Sequence, residues 1–259
     1  MRKFIQTIQN IWKIEDLRSR LLTTLLFVLI YRFGSFVVLP GIDPTALTAL
    51  QAQTAGGLMA LLDMFSGGAF SNASIFALGI MPYISASIVI QLLTIAVPYF
   101  QKMQKEGESG RQKMNQITRY LTVAILLFQG PSYLVNLSVQ MAQAGQAVAV
   151  GFNWFTISST ILLCAGSMFV MWLGERITDR GIGNGISFII LIGIIARFPA
   201  AIIQEFSSRL NEGGGLMVFI LEIILLLFVF AFAILLVQGT RRIPVQYAKR
   251  MVGNKQYGG

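Results

Sequence analysis

Six long apolar runs dominate the pattern of hydrophobic and polar residues along the chain. They lie at 21–39, 75–97, 118–137, 153–173, 185–204 and 216–238. A helix of about 20 apolar residues crosses the hydrocarbon core of a bilayer, so each run predicts one spanning helix. We therefore expect an all-α fold, a polytopic transmembrane helix bundle whose six spans return the chain to the side where it began.

The first 20 residues have a different pattern. Their apolar positions recur at helical spacing with charged residues between them: Phe4, Ile5, Ile8, Ile11 and Trp12. This predicts a cytoplasmic amphipathic helix over 1–20, lying in the membrane interface. No small-residue cleavage site follows the next apolar run, so we expect this segment to be retained.

A further apolar stretch, at 56–73, is too short to span a membrane. Its helix-like core runs from about Leu58 to Phe65 and is followed by Ser66-Gly67-Gly68, a typical helix stop. Two interpretations stay open: a re-entrant half-helix inside the bundle, or a short amphipathic helix on the outer surface. Asp63, a charge among apolar neighbours, favours a wet cavity over lipid.

Composition and charge agree with a membrane protein. Of the 259 residues, 55% are hydrophobic and 12% are charged, about half the charged share of soluble domains. The chain has no histidine and one cysteine, so neither a metal site nor another cofactor is expected. All but three of the 20 basic residues, Arg32, Arg197 and Arg209, lie on one predicted side. By the positive-inside rule that side is the cytoplasm, so topology accounts for most of the net charge of +9 and no direct DNA binding is expected.

No enzymatic constellation is present, and the chain is not expected to be an enzyme. Glu222 is the lone carboxylate inside a predicted span; it could centre a proton relay, but reaching out to water is favoured. The glycine-rich loop in ERITDRGIGNGIS, 175–187, lacks the βαβ context of a dinucleotide site. It predicts close backbone approach and a flexible helix start instead.

The stretch GIMPYISASIVIQ, 79–91, carries an unusual stripe. At helical spacing Ile80, Ile84, Ser87 and Gln91 share one face, which changes from apolar to polar toward the cytoplasm. The residues alone slightly favour a packed helix interface with interhelical hydrogen bonds. The alternative is a pore lining with a hydrophobic constriction that excludes ions by dewetting.

The basic tail at 238–259 also leaves two interpretations open. It could bind anionic lipid, or it could be the docking site of an acidic or RNA-bearing partner.

Several separated motifs resemble the SecY family, the channel subunits of the bacterial protein-export translocase. They are MFSGGAFSNASIFALGIMPYISASIVIQLL, KEGESGR, MWLGERITDRGIGNGIS and RRIPVQYAKR, spread over 64–250, with PGIDPTAL after the first run. The resemblance implies ten spans in two inverted halves, of which this chain holds the first six and stops inside the next loop. The expected divisions are a first half at 21–204 with a plug at about 56–70, a sixth span at 205–238, and the start of a basic cytoplasmic loop at 239–259.

The resemblance also implies roles for particular residues. A pore ring that seals the channel is expected from Ile80, Ile84, Ile186 and Ile190. A plug is expected from Leu58, Leu61, Leu62, Asp63, Met64, Phe65, Ser66, Gly67 and Gly68. A lateral gate is expected to include Ser87, Gln91 and Asn184, and partner docking Arg241, Arg242, Tyr247, Lys249 and Arg250. Ile186 lies near the cytoplasmic end of its run, so its depth rests on the resemblance alone.

The function implied is that of the central channel subunit of the Sec translocase in the bacterial cytoplasmic membrane. Unfolded secretory proteins would cross through it, and signal or membrane segments would leave sideways into lipid. The implied partners are the SecE and SecG subunits, the SecA motor or the ribosome, the translocating polypeptide with its signal sequence, and membrane lipid. Two alternatives remain at this point: a secondary transporter with the plug as a broken helix, or a non-conducting assembly fragment.

Overall fold

The computed structural model describes residues 12–42, 57–143, 154–212, 215–240, 250–252 and 255–257. Its helices are α1 (Glu15–Gly34), α2 (Gly57–Phe65), α3 (Met81–Ala96), α4 (Pro98–Lys105), α5 (Glu108–Gln143), α6 (Trp154–Arg180), α7 (Gly185–Glu212) and α8 (Gly215–Gln238). Two three-residue strands, β1 (Arg250–Val252) and β2 (Lys255–Tyr257), form an antiparallel hairpin near the end of the chain. The all-α architecture is confirmed, with this hairpin as a small addition. Most of the predicted amphipathic helix at 1–20 lies outside the described residues.

Among the described residues, fewer helices qualify as candidate spans than the six apolar runs predict. Within the described residues, α5, α6, α7 and α8 are long and apolar enough to cross a membrane. Helices α3 and α4 together form a fifth candidate if the two are one span that is broken by a 99° bend. The first predicted span is not in this set, because α1 carries three arginines, Arg18, Arg20 and Arg32, in its 20 residues. The structure therefore gives four or five candidate spans.

The chain divides into two compact units, Met1–Pro199 and Ala200–Gly259. In the first unit a non-helical segment, 66–80, runs through the interior, and we refer to it as the central turn segment. It contributes to both hydrophobic clusters of the unit. One cluster is Leu39, Ile42, Phe70, Ala73, Ala77, Tyr133, Leu134, Leu137, Met141 and Leu163. The other is Tyr31, Ala69, Phe76, Ile80, Val170, Leu173, Ile177 and Ile189.

The backbone of the central turn segment finds its hydrogen bonds within the protein. Leu39 N–H donates to the carbonyl of Ala73 at 2.9 Å, and Ile75 N–H donates to the carbonyl of Val37 at 3.0 Å. Irregular backbone buried in protein has to be paired in this way. Gly67, Gly68 and Gly79 have φ values of 65°, 91° and 54°, which break any helix here. The predicted second span at 75–97 is therefore wrong at its start, since its helix begins only at Met81.

A bend separates α3 from the short helix α4. Val97 is extended, with φ −113° and ψ 121°, because the following Pro98 disfavours helical backbone at the preceding residue. The chain turns by 99° at this point. Helix α4 carries Lys102 and Lys105 in its last turn and buries Met103, so the predicted basic connection after the second run begins as an amphipathic helix.

The loop between α6 and α7 is only four residues long, 181–184. A Cβ atom at Gly185 would overlap the carbonyl oxygen of Gly174, and one at Gly174 would lie 3.1 Å from Ile186. Gly183 turns the chain with φ +71°. The predicted close backbone approach is thus confirmed, and it lets the two helices form a tight hairpin.

The second unit contains the rest of α7, helix α8 and the β hairpin. No residue of α8 is buried, although its mean hydropathy of 3.2 exceeds that of the other candidate spans among the described residues. Arg209 on α7 pairs with Glu222 at 2.5 Å and with Glu205 at 2.8 Å. The favoured interpretation of Glu222, a carboxylate reaching out to water, is therefore corrected: it neutralises an arginine of the neighbouring helix.

Candidate functional site

The predicted plug residues form α2 and the turn that follows it. Helix α2 ends at Phe65, as the helix stop predicts. Ser66 caps this end, since its hydroxyl donates to the carbonyl of Asp63 at 3.0 Å and accepts from Phe70 N–H at 3.0 Å. Residues 66–70 are all buried. Of the two interpretations left open by the sequence, this burial supports a re-entrant element inside the bundle over a helix lying on the surface.

Asp63 is buried, with 6% of its surface exposed, and it is fully partnered. One carboxylate oxygen pairs with the guanidinium of Arg197 on α7 at 2.5 Å, and the other accepts from Ser71 N–H at 2.8 Å. Arg197 also donates to the hydroxyl of Ser71 at 2.8 Å. An ion pair of this kind is how proteins accommodate a buried carboxylate, and the preference of Asp63 for a wet cavity over lipid stays a prediction.

Helix α1 holds the same turn from another side. The hydroxyl of Tyr31 donates to the carbonyl of Ser66 at 3.2 Å, and the guanidinium of Arg32 donates to the carbonyl of Gly67 at 2.6 Å. Arg32 also lies over the ring of Phe36, 4.7 Å from its centroid. Tyr133 on α5 donates to the carbonyl of Phe70 at 2.8 Å. Side chains of two helices, α1 and α5, thus bind backbone of the turn after α2, whereas α7 binds the side chains of Asp63 and Ser71.

Glycine permits the close contact between this turn and α7. A Cβ atom at Gly67 would lie 2.9 Å from the Cα of Gly193, and one at Gly193 would lie 2.8 Å from the carbonyl oxygen of Phe65. Gly68, with φ +91°, faces the Arg197 guanidinium, which a Cβ atom there would approach at 2.7 Å. Both glycines of the predicted helix stop are therefore needed for packing as well as for backbone conformation.

Sequence reasoning missed Arg32 and Arg197 as parts of this site. Both are exceptions to the one-sided distribution of basic residues, a pattern that by itself assigns them no role. Their signal was available, since an arginine within an apolar run requires a partner. What the sequence could not supply is that the single nearby carboxylate, Asp63, lies opposite Arg197 in space.

The four isoleucines predicted for a pore ring gather at one hydrophobic cluster. Ile80 is buried, with 5% exposed, and it belongs to the cluster around Tyr31 and Ile189. Ile84, Ile186 and Ile190 are partly buried and pack against the same cluster. Ile80 precedes the first helical residue of α3, yet Ile84 N–H donates to its carbonyl at 3.1 Å, so the two share a face. Ile186 joins them because the tight glycine hairpin places the start of α7 beside α6.

A cavity of about 290 Å³ lies beside the turn after α2. It is mostly apolar, and its lining comes from α2, the central turn segment, the start of α3, and α5. The polar side chains on its wall include Gln129, Ser132 and Asn136 of α5 and Ser85 of α3. Ile80 borders it, whereas the other three ring candidates do not.

The lateral gate candidates lie at separate places. The amide of Gln91 donates to the hydroxyl of Ser87 at 3.2 Å, one turn away on the exposed part of α3. The same helix exposes Ile88, Leu92 and Ile95. Asn184 caps α7, since its side-chain oxygen accepts from Ile186 N–H at 3.1 Å and from Ser187 N–H at 3.2 Å. No described contact joins Asn184 to Ser87 or Gln91.

The docking candidates are mostly outside the described residues. Arg241, Arg242, Tyr247 and Lys249 are not described, and Arg250 is the first residue of β1, paired with Tyr257. Among the described residues no group of three or more His, Cys, Asp or Glu side chains is arranged to hold a metal ion.

Comparison with known proteins was made by family model, by sequence and by structure. The SecY family model matches residues 74–259. The chain is 45% identical over 247 residues to the protein translocase subunit SecY of Rickettsia conorii, covering 95% of this chain and 57% of that protein. It is 44% identical over 242 residues to the same subunit of Escherichia coli K12, covering 93% of this chain and 54% of that protein. The chain thus spans a little over half the length of these relatives.

Solved structures agree at the level of the fold. Sec61 in a canine ribosome–channel complex from the endoplasmic reticulum has a TM-score of 0.55 at 17% identity, covering 88% of this chain and 49% of that one. A structure described as a protein conducting channel has the same TM-score and identity, covering 93% of this chain and 52% of that one.

Proposed function

The chain belongs to the SecY family of multi-pass membrane proteins, and from this membership we propose that it forms part of a protein-conducting channel in the cytoplasmic membrane. Unfolded secretory proteins cross through this channel, and signal or membrane segments leave it sideways into lipid. We place both ends of the chain on the cytoplasmic side, on the strength of the one-sided distribution of basic residues.

One observation carries this proposal: a short helix, α2, and its following turn are held inside a helix bundle by side chains of α1, α5 and α7. A transmembrane bundle has no structural need for such an insertion, because regular helices satisfy their own backbone. An element that fills the interior without spanning is suited to closing a passage. We assign α2 and residues 66–68 as this plug.

The isoleucine cluster supplies the second part of the seal. Ile80, Ile84, Ile186 and Ile190 converge on one hydrophobic cluster next to the plug turn. A ring of isoleucine side chains can yield to a passing polypeptide without breaking hydrogen bonds, while it excludes water and ions by dewetting. Ile80 is buried by its own bundle.

Helix α3 is the proposed wall of the lateral gate. It has a polar pair, Ser87 and Gln91, beside an exposed apolar face with Ile88 and Leu92. Such a helix can meet either a polar interior or lipid, which a gate between the two requires. Asn184 is the third proposed gate residue, and it caps the first turn of α7.

The partners follow from the family and from the basic tail. SecE and SecG are the proposed companion subunits, and SecA or the ribosome is the proposed source of driving force. Their docking site is the segment with Arg241, Arg242, Tyr247, Lys249 and Arg250. Reversing both charges with Arg241→Glu and Arg242→Glu is expected to weaken SecA binding to proteoliposomes in a flotation assay at physiological salt. The matched control reverses Lys102 and Lys105; equal binding by wild type and the Arg241/Arg242 variant would remove this assignment.

Transport itself is tested in proteoliposomes containing the complete protein with SecE and SecG. With SecA and ATP, an unfolded secretory protein is expected to become protected from added protease. The same substrate with a charged residue in the apolar core of its signal sequence is the control and is expected to stay accessible. Absence of protection for both substrates in an assembled, folded complex would contradict the channel function.

A further inference from the structure

The turn after α2 is fixed by an unusual set of charges. Among the described residues within its contacts, one carboxylate, Asp63, and two guanidiniums, Arg32 and Arg197, are found. Asp63 belongs to the plug helix itself, whereas the arginines come from α1 and α7. Among the described residues, the carboxylate of Asp63 is therefore the only charged group of the plug that forms an ion pair with the surrounding helices.

The ion pair is asymmetric in its exposure. The Asp63 side chain is 9% exposed, whereas that of Arg197 is 41% exposed. A buried carboxylate that loses its cation is left strongly destabilised, whereas an arginine at this exposure can return to water. The pair therefore favours the seated plug and still allows Arg197 to be hydrated when the plug leaves.

Hydrogen bonds to the backbone complete the arrangement. Arg197 also reaches the Ser71 hydroxyl, which donates to the carbonyl of Gly68 at 3.3 Å. On the other side Arg32 donates to the carbonyl of Gly67. Adjacent glycine carbonyls are thus connected to arginines of two different helices. If α1 and α7 move apart, both connections cannot keep their lengths.

We propose that Asp63, Arg197 and Arg32 form a latch that holds the plug in its closed position. They are positioning residues: Arg32 binds the carbonyl of Gly67, and Asp63 and Arg197 bind Ser71 and each other. This inference rests on the proposed function only in naming α2 a plug. The latch concerns how firmly the turn is seated, which can be measured whether or not the channel conducts.

The test measures how often the turn is exposed to water. The reporter is Ala69→Cys, at a position with 0% exposure, in a background where the free cysteine is removed by Cys164→Ser. The complete protein is held in lipid nanodiscs and treated with a water-soluble maleimide. Asp63→Asn and Arg197→Gln are each expected to raise the labelling rate at least about tenfold, and Arg32→Gln by less, because the only described bond of Arg32 to the turn is the one to the carbonyl of Gly67.

The control is Arg119→Gln. Arg119 pairs with Glu175 on a neighbouring helix at 2.7 Å and is similarly exposed, but it touches no residue of the plug turn among the described contacts. Its loss is expected to leave the labelling rate of Ala69→Cys unchanged. Because Asp63 and Arg197 act as a unit, the double variant is expected to label no faster than the faster single variant.

Three outcomes would overturn the latch: equal rates in the parent and Arg197→Gln, an equal rise in Arg119→Gln, or additive effects of Asp63→Asn and Arg197→Gln. Ser66→Cys, at a position 4% exposed, repeats the measurement if Ala69→Cys fails to fold. A protein that transports nothing but shows the expected labelling pattern would contradict the proposed function and leave the latch intact. Normal transport with an unchanged labelling rate would support the proposed function and contradict the latch.

Discussion

Replacing Gly67 by alanine should strain the seated arrangement of the proposed plug in two ways. Gly67 has φ +65°, a left-handed conformation that costs a residue with a Cβ atom about 1–2 kcal/mol. The new Cβ atom would also lie 2.9 Å from the Cα of Gly193, where backbone rather than a flexible side chain must move. Overpacking of this kind costs about 1–3 kcal/mol more.

Gly183 provides a matched control for the first of these costs. It has φ +71°, and a Cβ atom there would meet nothing within 4 Å. Gly183→Ala therefore carries the same backbone penalty without the collision, and it lies outside the plug. The difference between the two variants isolates the contact of the plug with α7.

The collision exists only while the plug is seated, so it should shift the balance between closed and open plug. A cost of about 1–3 kcal/mol corresponds to a shift of about 5- to 150-fold. In the complete translocase in planar bilayers, Gly67→Ala should raise the open probability by this factor in the absence of substrate, and Gly183→Ala should not. An open probability for Gly67→Ala equal to that of Gly183→Ala would refute the reasoning from the Gly67–Gly193 contact.

Two further predictions concern the ring and the start of α7. Ile84→Asn should raise ion leakage through the resting channel, because it puts a polar group at the isoleucine cluster. Ile88→Asn on the exposed face of the same helix is the control, and equal leakage from both variants would count against a seal formed by the isoleucines. Asn184→Ala should lower the free energy of unfolding by about 1 kcal/mol through loss of the helix cap, whereas Asn184→Asp should leave that free energy unchanged. Chemical denaturation in detergent measures the free energy of unfolding of both variants, and an equal loss in the two would exclude capping.

Hydrophobic pattern predicts the apolar part of each long helix well, because each of these helices contains one apolar run. The runs at 185–204 and 216–238 correspond to α7 and α8 with starts within one residue. The helix stop at Ser66 was also predictable, since Gly67 and Gly68 follow it directly. These features depend on neighbours in sequence, which a single sequence contains.

The start of the second span was not predictable in this way. Residues 75–80 are as apolar as the helix that follows, but they form turns. Their conformation is set by tertiary contacts, such as the hydrogen bond from Ile75 N–H to the carbonyl of Val37. Apolar content alone cannot separate a buried turn from a buried helix.

The candidate site divides along the same line. The isoleucine stripe follows from helical spacing, and the structure brings its members to one cluster. The pairing of Asp63 with Arg197 joins residues of α2 and α7, and no local rule connects them. Likewise, Glu222 appeared alone in sequence because its partner Arg209 lies across a helix connection.

The distance along the chain between the plug turn and Arg197 has a consequence for biosynthesis. Arg197 follows Ser71, the residue whose hydroxyl it binds, by 126 residues. At a synthesis rate of about 5–20 residues per second, the nascent chain carries Ser71 without Arg197 for roughly 6–25 s. Asp63, made eight residues earlier, is without its cation slightly longer. Throughout that interval Arg32, made earlier, is the one latch arginine already present. The turn after α2 therefore reaches its fully paired arrangement only after α7 is made, and the delay gives chaperones or insertion factors a defined period in which to act.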